Sequence, residues 1–304
     1  MKKNAVQMFF SGRAFRYTGR MSYLCRKTSM SKYFLYIALF VASLQACKQS
    51  AASSATAAPS DSSQADTTVA VGTEQDAANY ELPAYSDKEM IIRHTGFTLS
   101  YNQTHNTPNW SAWCLTADHT DGTVERSTKF WADPSIPTPY RVDYYDYKGS
   151  GYDRGHMCPA GDMKWSEEAM HDCFYMSNMC PQTGSLNSGA WNKLEMKCRE
   201  WAKNEGKLYI VCGPVYDNRR HEQIGIDHAI DVPEGFFKAI LSLRPGHEKA
   251  IAFYFYNDES RQSYKTATLS VDEAEELTGL DLFAALEDKL EAKLESTNNL
   301  AAFQ

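Results

Sequence analysis

The chain has 304 residues, 43% of them hydrophobic and 12% aromatic, which is enough apolar material for a sizeable packed core. Its formal net charge is −7, unevenly placed: residues 1–47 carry eight Lys or Arg and no acid, leaving 23 basic against 38 acidic residues elsewhere. That balance excludes a broad basic surface that would draw nucleic acid from a distance. It leaves room for local phosphate binding through a metal ion and a few arginines. Residues 272–304 hold nine acids and two lysines, whereas residues 126–220 are near neutral, with 13 basic and 12 acidic side chains.

Residues 30–47 read as one lysine, an apolar run over 33–44, small residues and then Cys47. The run is shorter than the roughly 20 apolar residues of a comfortable membrane span and fits the core of a secretory signal. Its end, Leu44-Gln45-Ala46-Cys47, resembles a bacterial lipobox. The resemblance implies that Cys47 becomes an acylated N-terminus, with more than one lipid chain, as stable attachment requires. The expectation is a signal peptide over 1–47 and an exported protein, lipid-anchored to a bacterial membrane and facing the periplasm or the cell surface. An ordinary cleaved signal or a signal anchor is the alternative. Met30 offers a second start, so residues 1–29 read as a mis-assigned beginning. Residues 48–79 are Ala, Ser, Thr and Asp with almost no large apolar side chain. Such a stretch cannot offset its ordering entropy and is expected to be a flexible tether. A folded domain is expected over 80–300.

Within that domain, alternation over 94–101 predicts a strand and 110–115 its partner. Residues 188–204 predict a helix that places Trp191, Leu194, Cys198 and Trp201 on one buried face. Residues 208–212 predict a buried strand ended by a turn at Gly213-Pro214, and 236–243 and 250–255 predict two more strands. Ser270-Val271-Asp272-Glu273 is a capping-box pattern, opening a helix toward Thr278 with Gly279 as its stop; an acidic helix over 281–295 follows. The irregular mixture predicts one α+β domain with a mainly antiparallel sheet. Six cysteines fall in the domain, an even count that suggests disulfides in an exported protein, with reduced core thiols the alternative. No Cys-x-x-Cys pair is present, and the spacing is poor for structural zinc.

The residues with chemistry lie in three runs: Tyr152-Asp153-Arg154-Gly155-His156, Ser177-Asn178-Met179-Cys180-Pro181-Gln182, and a third from Leu186 through Asn187, Trp191 and Glu195 to Arg199. Phosphodiester hydrolysis needs a base for the attacking water, which neutral His supplies near pH 7. It needs a divalent cation at the scissile phosphate, hard oxygen ligands for that cation, and guanidinium groups to hold the phosphate. Each part is present in this window. On a regular α-helix, four-residue steps drift by about 40°, so Asn187, Glu195 and Arg199 would face one cleft. Bland readings stand beside these: a surface histidine, an asparagine helix cap, and an ordinary i,i+4 pair of Glu195 with Arg199. Tyrosines 144, 145, 147 and 152 could stack on bases or simply pack in core and loop.

Asp153-Arg154-Gly155-His156 resembles the signature of the DNA/RNA non-specific endonucleases, the ββα-metal (His-Me finger) nucleases. The similarity continues through Asn178-Met179-x-Pro181-Gln182, Leu186-Asn187-x-Gly189-x-Trp191 and Leu194-Glu195-x3-Arg199, with weaker echoes that extend it over about residues 91–283. It implies a ββα-metal domain with His156 as general base and Asn187 as the direct protein ligand of Mg2+, or of Mn2+ or another divalent cation. It further implies Glu195 holding metal-bound water, Arg154 and Arg199 contacting phosphate or stabilising the site, and Asn178 shaping the site near the phosphate. An upstream arginine of the family corresponds weakly to Arg126. The implied partners are DNA and RNA, held through the phosphate backbone with little base readout. A catalytically inactive surface lipoprotein that binds nucleic acid or another partner is the rival reading.

Overall fold

A computed structural model describes residues 79–304; the expected signal peptide, the lipobox cysteine and nearly all of the expected tether lie outside the described residues. In chain order the elements are β1 (Met90–Arg93), β2 (Thr98–Asn102), β3 (Thr107–Thr116), β4 (Asp153–His156), α1 (Glu167–Asp172), β5 (Met179–Gln182), α2 (Asn192–Glu205), β6 (Lys207–Val215), β7 (Gln223–Ile224) and β8 (Ile230–Asp231). They continue with β9 (Gly235–Ser242), β10 (Lys249–Tyr256), β11 (Thr268–Leu269), α3 (Val271–Thr278) and α4 (Asp288–Glu295). Seven strands form one antiparallel sheet in the order β1-β2-β3-β6-β9-β10-β11.

Both faces of this sheet are covered, and strand alternation sorts the side chains between them. Leu208, Ile210 and Cys212 of β6 join Trp113, Leu115, Phe236 and Ile240 on one face, where the α2 residues Leu194, Cys198 and Trp201 pack. Tyr209 and Val211 join Ala112, Phe237 and Ala239 on the other, under Val271 and Ala274 of α3 and Leu294 of α4. Double coverage explains why β6, β9 and β10 read as continuous apolar runs. The predicted α+β class and mainly antiparallel sheet are what the structure has.

Several boundaries differ from expectation, each for a physical reason. β6 does not turn at Gly213-Pro214 but runs on to Val215; its pairing with β3 has ended at Cys212, so the missing N–H of Pro214 leaves no ladder bond unmade on that side. The acidic helix is only α4. Before it, Leu282, Phe283 and Leu286 dive into the core and Phe283 takes a positive φ of 53°, which no helix accommodates. The capping box at Ser270 and Glu273 and the left-handed stop at Gly279 are as predicted. The domain extends past 300, since Phe303 is buried against Trp201 with ring centroids 5.2 Å apart. Five of the six domain cysteines, Cys158, Cys173, Cys180, Cys198 and Cys212, are free thiols buried as small core residues, which matches the reduced alternative at those positions.

A second, two-stranded sheet pairs β4 with β5, placing His156 opposite Met179 and Arg154 opposite Pro181. Gly155 carries no Cβ because the Gln182 side chain lies across that position. The pair is fastened to the central sheet through Asn178, a fully buried residue whose amide is saturated. Its Oδ1 accepts from the Cys158 N–H at 2.9 Å and from Ser111 Oγ of β3 at 3.1 Å, while its Nδ2 donates to the carbonyls of Cys158 and Cys173, both at 2.9 Å. Asn178→Ala would leave several buried polar groups without partners, at roughly 1–3 kcal/mol each. We expect it to lower the melting temperature by roughly 10 °C, measured by circular dichroism, with activity per folded molecule retained well below the transition. Loss of turnover at an unchanged melting temperature would instead make Asn178 a catalytic group.

Candidate active site

Asparagine and glycine have low propensity for a helix interior, and the chain entering α2 is not regular. Residues Leu186–Trp191 form a π-helical turn with Gly189 far from helical geometry, at φ −96° and ψ −106°, before α2 begins at Asn192. A π turn brings residues five apart onto one side, and Asn187 and Asn192 line the same cavity. That cavity, of about 230 Å³, is bounded by Arg126, His156, Pro159, Asn187, Asn192 and Glu195, with Ala160. The structure therefore brings together His156, Asn187, Glu195 and Arg126.

Arg199 does not face this cavity, contrary to the regular-helix expectation. Its Nη1 donates to Asp162 Oδ1 at 2.7 Å, and its guanidinium lies over Gly161, where a Cβ would collide with it. The same Asp162 accepts from Trp113 Nε1 of β3 at 3.1 Å. Arg199 thus ties α2 to the sheet, and of its two implied roles the geometry matches stabilising the site. Asn178, for its part, is fully buried and has no donor or acceptor left for a phosphate.

His156 is 7% exposed and lies edge-on to Phe174, with centroids 4.7 Å apart; its Nε2 is buried without a hydrogen-bond partner. Burial, and then the positive charges of Arg126 and Arg154, lower its pKa to about 3. At neutral pH the imidazole is uncharged, with a lone pair available to accept a proton. The guanidinium of Arg154 rests on the ring of Phe130 at 4.3 Å and that of Arg126 on Phe174 at 5.2 Å. Neither forms an ion pair with a carboxylate among the described residues, so both remain open to an external anion.

Asn187 donates its Nδ2 to Asp153 Oδ2 at 3.0 Å. A carboxylate only accepts, so this bond fixes the amide orientation and leaves Oδ1 free to bind a cation. Asp153 thereby orients Asn187. Glu195 is raised to about 7, with desolvation as the first cause and the Lys238 ammonium as the main opposing influence. An amide oxygen and a carboxylate are hard donors that suit Mg2+ or Mn2+, not thiolate-bound zinc. Held together at one cavity, the Asn187 and Glu195 side chains fit such an ion.

Lys238 is a residue that motif reasoning passed over. It lies in the middle of β9, fully buried, with Nζ 4.3 Å from the Trp191 ring centroid and 5.0 Å from that of Trp113. Burial opposes its charge, but its neighbours Cys212, Glu195, Cys198 and Asp162 together raise its pKa above the usual lysine value. Its signal was a single lysine inside the apolar run Phe236-Phe237-Lys238-Ala239-Ile240. Asn192 was missed because its position depends on the π turn, which no periodicity announces.

A strand pair followed by a helix, with an imidazole on the first strand and a carboxamide at the helix entrance, defines the ββα-metal class of nuclease. The chain belongs to the DNA/RNA non-specific endonuclease family, whose model matches residues 74–289. It is 40% identical over 169 residues to the mitochondrial nuclease EXOG of Danio rerio, covering 52% of this chain and 49% of that protein. It is 34% identical over 223 residues to a nuclease of a Nostoc species, covering 69% of this chain and 78% of that one. A crystal structure of the EndoG/EndoGI complex is similar at a TM-score of 0.64 and 29% identity, covering 69% of this chain and 91% of that one. The chain spans 44% to 60% of the length of the EXOG proteins of mouse, zebrafish and Xenopus laevis.

The depressed pKa of His156 has a consequence for stability. Between pH 6.5 and about 3 an unfolded imidazole binds a proton that the folded one excludes. The stability is therefore complete above pH 6.5 and falls as the pH drops toward 3. Arg126→Gln should raise the His156 pKa, since it removes one of the two cations that lower it; a histidine-ring NMR titration reads this directly. An unchanged titration would show that the charge at 126 does not act on the imidazole.

Proposed function

We propose that this protein is a metal-dependent endonuclease that hydrolyses phosphodiester bonds of DNA and RNA with little sequence preference. The observation that carries the reading is the convergence of a neutral His156, an oriented Asn187 and Glu195 on one cavity rimmed by Arg126. Asn187 and Glu195 would hold Mg2+ or a similar ion, which when bound supplies charge stabilisation at the phosphate and the leaving oxygen. Arg126 and Arg154 hold the phosphodiester by charge-assisted hydrogen bonds. Their positive charge is then partly neutralised by the substrate, so the His156 imidazole gains basicity when it is needed. It accepts a proton from water as the water oxygen bonds to phosphorus and the bond from phosphorus to the 3′ oxygen breaks. The products implied by the family are a 5′-phosphate and a 3′-hydroxyl, the latter protonated from solvent. Contacts are to the backbone, so the bases are not read.

Plasmid and RNA digestion with the pure protein, across Mg2+, Mn2+ and EDTA, tests this reading. EDTA is expected to abolish cleavage. His156→Ala should lose at least a hundredfold in kcat, within the range of general-base removal, and Asn187→Ala should lose activity and metal affinity together while staying folded. A wild-type protein that binds DNA but never cuts it in any metal would favour the inactive binder. Wild-type turnover in Asn187→Ala would remove that residue from the site.

The same proposal places the enzyme outside the cytoplasm, lipid-anchored at Cys47, on the strength of the apolar run and lipobox-like end of residues 30–47. Cys47→Ser should move the nuclease from the membrane to the soluble fraction. A variant that stays in the membrane pellet would point to an uncleaved signal anchor.

A further inference from the structure

Beside the His156 cavity lies a larger one, of about 490 Å³, whose wall includes Tyr144, Tyr145, Lys148, Tyr152, Asp153 and Arg154. Two residues of the larger cavity, Asp153 and Arg154, link it to the smaller. Arg154 lines the larger one while its guanidinium rests on Phe130, whose ring centroid is 5.8 Å from that of His156. Asp153 lines the larger one and holds Asn187 of the smaller. A chain bound across His156 would therefore run on into the tyrosine-lined space. The volume falls in the range of about 300–1,000 Å³ that takes small ligands, and so admits a nucleotide.

The aromatic wall is of two kinds. Tyr147 is buried within a core cluster, and the Tyr152 hydroxyl is tied to Glu222 at 2.9 Å. Tyr144 and Tyr145, in contrast, are 37% and 51% exposed, with ring centroids 4.1 Å apart. The turn that carries them is firmly held. Asp143 accepts from the Tyr145 N–H at 3.1 Å, Asp146 Oδ2 accepts from the Asp143 N–H at 3.0 Å, and Asp146 Oδ1 accepts from the backbone of Ile226, Asp227 and His228. A rigid turn that holds two aromatic faces in solvent beside two cations is arranged for contact with a ligand that is both planar and anionic.

We propose that this cavity is a subsite for an unpaired nucleotide of the strand being cut, with its base stacked on the Tyr144–Tyr145 face and its phosphate held by Lys148 and Arg154. The inference rests on the nuclease reading and deepens it. Stacking requires a free base face, which is sequence-tolerant and absent from an intact duplex. The subsite thus favours single-stranded substrate without reading sequence.

Fluorescence anisotropy of the full-length protein in EDTA, with labelled oligothymidylate and a blunt duplex of equal length, tests the subsite apart from cleavage. Tyr144→Ala/Tyr145→Ala should bind the single strand about tenfold more weakly, the size expected for lost stacking, with duplex binding within twofold and an unchanged melting temperature. Tyr145→Phe, which keeps the ring, should retain wild-type affinity. In Mg2+ the double variant should raise KM on the single strand and leave kcat within twofold. Equal losses on both probes, no loss on either, or a wild type that binds the duplex as tightly as the single strand would overturn the subsite. Failure of the wild type to cut any substrate would overturn the nuclease reading, with the anisotropy result still deciding the subsite on its own.

Discussion

Charge compensation beneath the active site is the constraint on which the remaining geometry depends. Asp162 stands between α2 and the central sheet and Glu195 on the cavity wall beside it, and burial raises the pKa of both carboxyls. Two cations answer them. Arg199 bonds to Asp162 directly, whereas Lys238 has no hydrogen-bond partner and is held by the faces of Trp113 and Trp191. Indole faces attract a desolvated ammonium, and the carboxylates keep it charged. Because Trp191 immediately precedes α2 and Trp113 belongs to β3, this cluster also fixes how the helix sits on the sheet, and with it where Asn187 and Glu195 point. An apolar residue at 238 would keep the volume and lose the compensation.

The same logic sets the state of His156. Two guanidiniums without carboxylate partners and an enclosed imidazole are mutually unfavourable if the imidazole is charged, so the ring stays neutral. A histidine with so low a pKa is a reluctant base in the empty site. A bound phosphodiester would partly neutralise the two guanidiniums, and in an environment of low dielectric that change would act strongly over a few ångströms. In the proposed nuclease reading, the basicity of His156 would therefore follow substrate binding: a water beside a bound phosphodiester would meet a better proton acceptor than one in its absence.

Much of this was legible from the chain. The Asp153-Arg154-Gly155-His156 run, the Asn187 and Glu195 positions and the buried face of α2 follow from motif and periodicity, and the structure brings His156, Asn187 and Glu195 to one cavity. What escaped was whatever depends on tertiary partners. Asn178 carries a family-like motif, but its role as a saturated tie between β3 and the β4–β5 pair depends on Ser111, which is 67 positions away. Arg199 sits on α2 at a spacing that suggests the cleft, yet the π turn before α2 alters the register and Asp162 draws the guanidinium inward. Phe283 forgoes helix for a left-handed turn because its ring is needed in the core. In each case local propensity gave way to a contact that no window of sequence contains.

The acidic balance of the chain, which weighs against a polyanion substrate, is reconciled by where the acid lies. The acid-rich helices α3 and α4 pack on the face of the sheet opposite the one that carries α2 and the His156 cavity. Layers of packed secondary structure stand about 10 Å apart, and at physiological ionic strength charges separated through solvent by more than about 8 Å are largely screened. The negative helices thus act weakly on a phosphate at Arg126 and Arg154, whereas those cations act at contact range. Attraction is confined to the last few ångströms of approach, where geometry rather than net charge selects what binds. In the proposed reading, recognition would then come from features available only at contact: a backbone phosphate, a bound cation and an exposed base face.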